Sequence, residues 1–276
     1  MINKVAPVLA IAGVLAGSGT AVAEPLRSEP LPRVMAALGD SISSGFNSCG
    51  FFLSCRSRSW SAGRHDSVDS HYVRLKALGA SLAPKNYAVP GAASADLLGQ
   101  VRKAVAERAD YVTVLIGAQD ACTSSEGRMT SVALYRYRLE RALDQLRAGV
   151  PGVRVLLASI PDVHRLWEVA KDQAKARTVW RLGRVCQSML ARPTSTAKAD
   201  VRRRANVRAR IMDYNREAAE ICAARSWCRT DGGAVFAYPF TLKQVSRWDY
   251  FHPNVAGQRV LAELTFGNGF DWADPR

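Results

Sequence analysis

Ser41 stands in "ALGDSISSG", where a short apolar run meets Gly39, Asp40 and then small residues. A serine attacks an acyl carbon only when a base takes its proton and donors hold the resulting oxyanion. Four histidines are available: His65 and His71 in the polar stretch "GRHDSVDSHYV", His164 in "PDVHRLWEV", and His252 in "WDYFHPN". His252 has Asp249 three residues before it, and a carboxylate beside an imidazole can fix its tautomer and stabilise the imidazolium. Taken alone, that spacing is common. It reads equally as a capping residue before a helix that Pro253 starts.

Such groups act only if the chain brings them together, and the periodicity says how. "RVMAAL" (33–38), "YAVPG" (87–91), "YVTVLIG" (111–117), "VRVLLASIP" (153–161) and "GAVFAY" (233–238) are short apolar runs that read as strands. The third is apolar and β-branched throughout, as in a central parallel strand covered on both faces. Helical patterns alternate with them: 94–108 with Ser94 as its N-cap, a stripe from Val132 to Leu146 ended by Gly149 and Pro151, parts of 163–190, 200–224, and a last helix after Pro253. Alternation of this kind predicts an α/β fold with a mainly parallel sheet. Ligands of such sheets collect beyond the carboxyl ends of the strands. Gly39-Asp40-Ser41, Gly91 and Gly117-Ala118-Gln119-Asp120 all fall there.

Composition narrows the setting. Lys4, an apolar run and the small residues "AVA" at 21–23 read as a secretory signal peptide over 1–23, followed by a single domain over 24–276. Six cysteines in an exported chain imply disulfides, although six allow fifteen pairings. Proximity suggests Cys49–Cys55 and Cys222–Cys228, leaving Cys122–Cys186. No CxxC pair exists and the histidines are not spaced beside the cysteines, so no metal site is expected. The net charge of +14 favours anionic surfaces such as membranes or cell-wall polymers. The arginines of "VRRRANVRAR" (201–210) fall mostly between Val207, Ile211, Tyr214, Ala218 and Ile221, as on the solvated face of an amphipathic helix. With no recognisable nucleic-acid module, nucleic-acid binding is not expected.

Together the segments resemble the SGNH hydrolases, or GDSL-type esterases and lipases, and specifically an exported bacterial branch with three disulfides. "ALGDSISSG" matches the serine block, Gly91 in "NYAVPGAAS" the glycine block, "IGAQDAC" the third block and "DYFHPN" the terminal Asp-x-x-His-Pro block. The resemblance implies a three-layer α/β/α, flavodoxin-like fold with a five-stranded sheet. It makes Ser41 the nucleophile, His252 the general base and then acid, and Asp249 the residue that orients His252. The backbone N–H groups of Ser41 and Gly91 would serve the oxyanion, and Asp40 would be a structural hydrogen-bonding residue. The family's oxyanion asparagine is here Gln119, which keeps the amide donor on a side chain one methylene longer. G-x-S-x-G, the nucleophile elbow of α/β-hydrolases, is absent.

The expected function is a secreted serine hydrolase of lipid or short-chain acyl esters, monomeric and without a cofactor. Phe46, Phe51 and Phe52 either line an acyl groove or pack on the Cys49–Cys55 loop. The alternatives are a polysaccharide acetyl esterase and, from another class, a non-catalytic basic cell-surface binding protein on the same scaffold.

Overall fold

The computed structural model describes residues 1–2, 30–267, 269–270 and 272; the expected signal segment, after its first two residues, lies outside them. The elements run β1 (Val34–Gly39), α1 (His71–Ala77), β2 (Ala83–Asn86), α2 (Leu97–Ala106), β3 (Tyr111–Leu115), α3 (Ala118–Ala121), α4 (Val132–Gly149) and β4 (Arg154–Leu157). They continue as α5 (Val163–Ala170), α6 (Ala174–Leu182), α7 (Gln187–Leu190), α8 (Lys198–Ala223), β5 (Cys228–Thr230), α9 (Ala234–Ala237) and α10 (Val255–Phe266). The five strands form one sheet, ordered β2-β1-β3-β4-β5, and every pairing is parallel.

Strand residues alternate between two cores. Ala36, Leu38, Val112 and Val114 join the core shared with α2, α4 and α8, whereas Met35, Ala37, Tyr111 and Leu115 join the one beneath α1 and α10. With both faces covered, every other position cannot be polar, which explains the unbroken apolar runs. The chain leaves β1 for β2 on one side and reaches β3 on the other. That reversal opens a crevice beyond the carboxyl ends of β1 and β3.

Several boundaries differ from expectation. The second strand is Ala83–Asn86, ahead of 87–91. The Tyr87 and Val89 N–H groups still donate to the Ala37 and Gly39 carbonyls, until Pro90, which has no N–H, ends the ladder. "GAVFAY" holds a helical turn, α9, and the fifth strand is Cys228–Thr230. Gly232 and Gly233, both at positive φ, turn the chain, and Asp231 Oδ2 accepts from the Val235 N–H at 2.8 Å to start the turn. An apolar run this short has no period that distinguishes the two structures.

Ser94 does not cap a helix. It lies in a 3₁₀ turn before α2, and its N–H and Oγ donate to Asp120 at 2.7 and 2.6 Å. In α8, Val207, Ile211, Tyr214, Ala218 and Ile221 are buried as the periodicity requires. The arginine face is not wholly solvated, however. Arg204 is buried, stacks over Trp167 at 4.4 Å and donates to the Ser195 carbonyl, while Arg203 donates to the carbonyls of Gln187, Ser188 and Ala191. Together the two arginines therefore tie down α7 and the segment after it. The disulfides are Cys49–Cys55, Cys122–Cys186 and Cys222–Cys228.

Candidate active site

Ser41 follows β1 in a tight turn that begins at Gly39. Gly39 has φ +135°, and a Cβ there would meet the Leu115 carbonyl oxygen at 2.0 Å, so no other residue fits against β3. The buried Gln100 of α2 clamps this glycine from both sides, accepting from its N–H at 2.7 Å and donating to its carbonyl at 2.9 Å. Beyond the serine, the Ser44 N–H reaches the Asp40 carbonyl and the Phe46 N–H the Ser41 carbonyl, both at 3.0 Å. Gln258 of α10 donates to the Ile42 carbonyl at 2.9 Å. The helix that follows His252 thus also holds the serine's turn.

His252 arrives from the opposite end of the chain, just ahead of α10. The Ser246 N–H donates to its carbonyl at 2.8 Å, and the Val245–Pro253 bridge fixes the segment. His252 Nε2 lies 2.7 Å from Ser41 Oγ, and Nδ1 lies 2.5 Å from Asp249 Oδ2. Asp249 Oδ1 accepts from the N–H groups of Phe251 and His252 at 2.9 and 3.0 Å. Burial alone would raise the Asp249 carboxyl. The hydrogen bond from His252 and the backbone donors outweigh it and hold the group below the usual carboxylate value.

Asn47 completes this arrangement, and nothing in the sequence singled it out. Its Nδ2 donates to Asp249 Oδ2 at 2.5 Å, so that oxygen receives two hydrogen bonds. Asn47 adopts a left-handed backbone, φ 57°, a region where asparagine is enriched, and lies in a glycine-containing turn. An asparagine set between Gly45 and Gly50 is the sequence-level signal it carries.

The other histidines are elsewhere. His71 is buried between Tyr111 and Thr265, and burial lowers it to about 3, so it is a neutral bridge through the core beneath α1. His65 bonds Ser67 at the surface, and His164 lies on α5 beside Glu168.

A cavity of about 430 Å³ opens at Ser41 and His252, with Gly91 and Gln119 also in its wall. Most of the remaining lining is apolar, including Phe46, Leu166, Val185, Phe240 and Phe251. Gly91 has φ +82°, which gives its peptide an orientation that side-chain-bearing residues seldom adopt. Among the described residues, the Ser41 and Gly91 N–H groups make no hydrogen bond. Asp120 ties the Gly91 loop, through Ser94, to the α3 turn that carries Gln119. Gln119 itself is exposed.

A family model, that of the GDSL-like lipase/acylhydrolase family, matches residues 37–260. The chain belongs to this family. A GDSL-like hydrolase of this kind is a carboxylic ester hydrolase, and the block from Gly39 to Ser41 is the one for which the family is named. No curated protein matches the chain. Among solved structures, the lipase Lip_vut3 from a goat rumen metagenome is similar at 14% identity, covering 87% of this chain and 98% of that one, TM-score 0.57. An acetyl xylan esterase from Geobacillus stearothermophilus is similar at 15% identity over 87% and 95% of the two chains, TM-score 0.54. TesA is similar at 20% identity over 85% and 97%, TM-score 0.51. At these identities the structural likeness speaks for the shared fold.

Asp40 is the second buried carboxylate near this GDSL-like site. Its Oδ1 accepts from the Ile42 N–H at 2.8 Å, while Oδ2 has no hydrogen-bond partner among the described residues. Burial pushes its carboxyl up to about 7, only partly offset by the Ile42 N–H and the nearby His252 ring. Between the unfolded value of 3.8 and about 7, the folded chain holds a proton that the unfolded chain releases. Stability therefore falls as pH rises through that window, by roughly 4 kcal/mol in all. Asp40→Asn keeps an acceptor for Ile42 and removes the titration. The drop in unfolding free energy between about pH 5 and about pH 8, measured by denaturant titration, should shrink by roughly 2–3 kcal/mol. An unchanged drop would show that Asp40 is ionised throughout.

Proposed function

We propose that this hydrolase works through an acyl-enzyme on Ser41 and cleaves esters whose acyl part is longer than acetyl, outside the cell. The observation that carries the mechanism is the unbroken hydrogen-bonded run from Ser41 Oγ through His252 to Asp249. Ser41 Oγ attacks the ester carbonyl carbon as its proton passes to His252 Nε2. The tetrahedral oxyanion takes hydrogen bonds from the free N–H groups of Ser41 and Gly91. Gln119 supplies a third donor from its exposed position, where no hydrogen-bond partner among the described residues competes for its amide. Collapse breaks the C–O bond, and His252 returns the proton to the departing alcohol. Water then attacks the acyl-enzyme, with His252 as base, and releases the acid and the free serine.

The apolar lining favours an acyl chain over a polysaccharide acetyl group, because an acetyl would leave most of the cavity unfilled. Export is supported by the three disulfides, which persist in oxidising compartments. The N-terminal segment supports the same reading through its signal-like composition. Turnover of p-nitrophenyl esters from acetate to palmitate tests the substrate class. Activity should climb beyond acetate, reach its maximum at intermediate chain length and fall once the chain outgrows the cavity. A preference confined to acetate would favour the polysaccharide acetyl esterase.

A further inference from the structure

Beside the Ser41 site, four large apolar side chains stand in solvent together. Phe51, Phe52 and Leu53 are 57%, 67% and 56% exposed, and Trp248 is 40% exposed. The aromatic rings are continuous with the active site. Phe51 contacts Phe52 at 4.5 Å and Trp248 at 5.8 Å between centroids, Phe52 contacts Phe46 at 5.8 Å, and Phe46 packs edge-on against His252 at 5.0 Å. Isolated exposed apolar residues need no explanation, whereas a contiguous patch marks an interaction surface.

The loop that presents the patch is held in place. Cys49–Cys55 closes it, the Asn47 N–H donates to the Leu53 carbonyl at 2.8 Å, and the Phe52 N–H donates to Asn47 Oδ1 at 2.7 Å. Phe52 has φ 53°, a left-handed conformation that bulky residues enter only at a cost. These bonds fix the backbone from which the rings project.

The loop's own stretch carries positive charge only, and the Asp249 carboxylate next to Trp248 is buried. Residues 41–65 contain Arg56, Arg58 and Arg64 and no aspartate or glutamate. On its other side Trp248 forms part of a shallow groove with Lys175, Thr178, Val179, Arg247 and Tyr250. The Arg247 guanidinium lies 5.2 Å over the Trp248 ring. Apolar tips, an indole at their edge and flanking cations are what a surface needs to enter a lipid–water interface. The net charge of +14 selects an anionic one.

We propose that the 49–55 loop and Trp248 dock the enzyme on anionic phospholipid surfaces. Phe51, Phe52, Leu53 and Trp248 enter the interface, Lys175 and Arg247 meet headgroup phosphates, and the cavity faces the lipid that supplies its ester. This deepens the acyl-ester reading and rests on it.

The experiment uses the Ser41→Ala protein, which leaves lipid intact, in flotation with phosphatidylcholine vesicles with and without phosphatidylglycerol. Binding to the phosphatidylglycerol vesicles is expected. Phe51→Ser, Leu53→Ser and Trp248→Ser combined should weaken it on the order of a hundredfold. Lys175→Glu with Arg247→Glu should weaken it about tenfold and remove the preference for phosphatidylglycerol. With Ser41 restored, the triple variant should retain turnover of soluble p-nitrophenyl butyrate within about twofold, the loop's own anchoring bonds being main-chain or from Asn47.

Absence of vesicle binding, or binding that the triple variant leaves intact, overturns the proposal. So does binding to polygalacturonate that matches vesicle binding and depends only on the charged pair, or self-association abolished by the triple variant. The two readings fail separately. Soluble turnover without vesicle binding overturns the docking surface alone, whereas a folded wild type inactive on the soluble ester overturns the hydrolase mechanism.

Discussion

Ser41→Ala is expected to lower kcat on a soluble p-nitrophenyl ester by on the order of 10⁴–10⁶, with KM changed by less than about threefold. The substitution removes one oxygen and leaves the cavity wall intact, so ground-state binding survives. What disappears is the hydroxyl 2.7 Å from His252 Nε2, the proposed nucleophile. Among the described residues that line the cavity, Ser41 carries the only hydroxyl and His252 the only imidazole. His65 and His71 are remote from the cavity, the latter buried in the opposite core, and every cysteine is in a disulfide. Residual rate comes only from the oxyanion donors acting on water. The turn should keep its shape, because Phe46 and Ser44 bond the Ser41 carbonyl and not its hydroxyl. Steady-state kinetics with a fold check by circular dichroism measures this directly. A loss smaller than about tenfold would remove Ser41 from the mechanism.

Asp249→Asn should reduce kcat by about 10⁴ through the tautomer of His252, with little change in fold. The two oxygens of Asp249 have distinct partners. Oδ1 faces two backbone N–H groups, and Oδ2 faces Asn47 Nδ2 and His252 Nδ1. In the amide variant, the backbone donors keep the remaining oxygen on their side. The new NH₂ then points at His252 Nδ1 and compels that nitrogen to accept. The imidazole proton moves to Nε2, where it faces Ser41 and blocks proton removal. The new NH₂ also faces the Asn47 donor, so a modest loss of stability accompanies the loss of rate. Retention of near-wild-type turnover would mean that something other than Asp249, such as a backbone carbonyl, orients the ring.

Local chemistry with a fixed order along the chain was the readable part of the sequence. Gly39-Asp40-Ser41 stands at the end of β1 and the Asp249/His252 pair just ahead of α10, with Gly91 in the loop between β2 and α2, and such places show as glycine, proline and apolar runs. The three cysteine pairs were readable because two lie six residues apart and determine the third. Side chains whose role depends on partners about sixty or two hundred positions away were not readable. Gln100 clamps Gly39, Gln258 holds the Ile42 carbonyl and Asn47 bonds Asp249, and in each case a neutral amide sits in an otherwise unremarked stretch.

The strand misplaced at 233–238 failed for the opposite reason, a local pattern too short to have a period. The phenylalanines divided in a way that apolar character could not foretell. Phe46 lines the cavity, whereas Phe51 and Phe52 are turned to solvent by a loop whose anchors are backbone groups and Asn47.

Covalent labelling by an alkyl p-nitrophenyl phosphonate, followed by intact mass and peptide mapping, reports whether Ser41 is a nucleophile activated by His252. One adduct is expected on folded wild type, located on Ser41, formed far more slowly in Asp249→Asn and absent from Ser41→Ala. A folded wild type that takes no label, or a Ser41→Ala protein that labels as the wild type does, would contradict that role of Ser41.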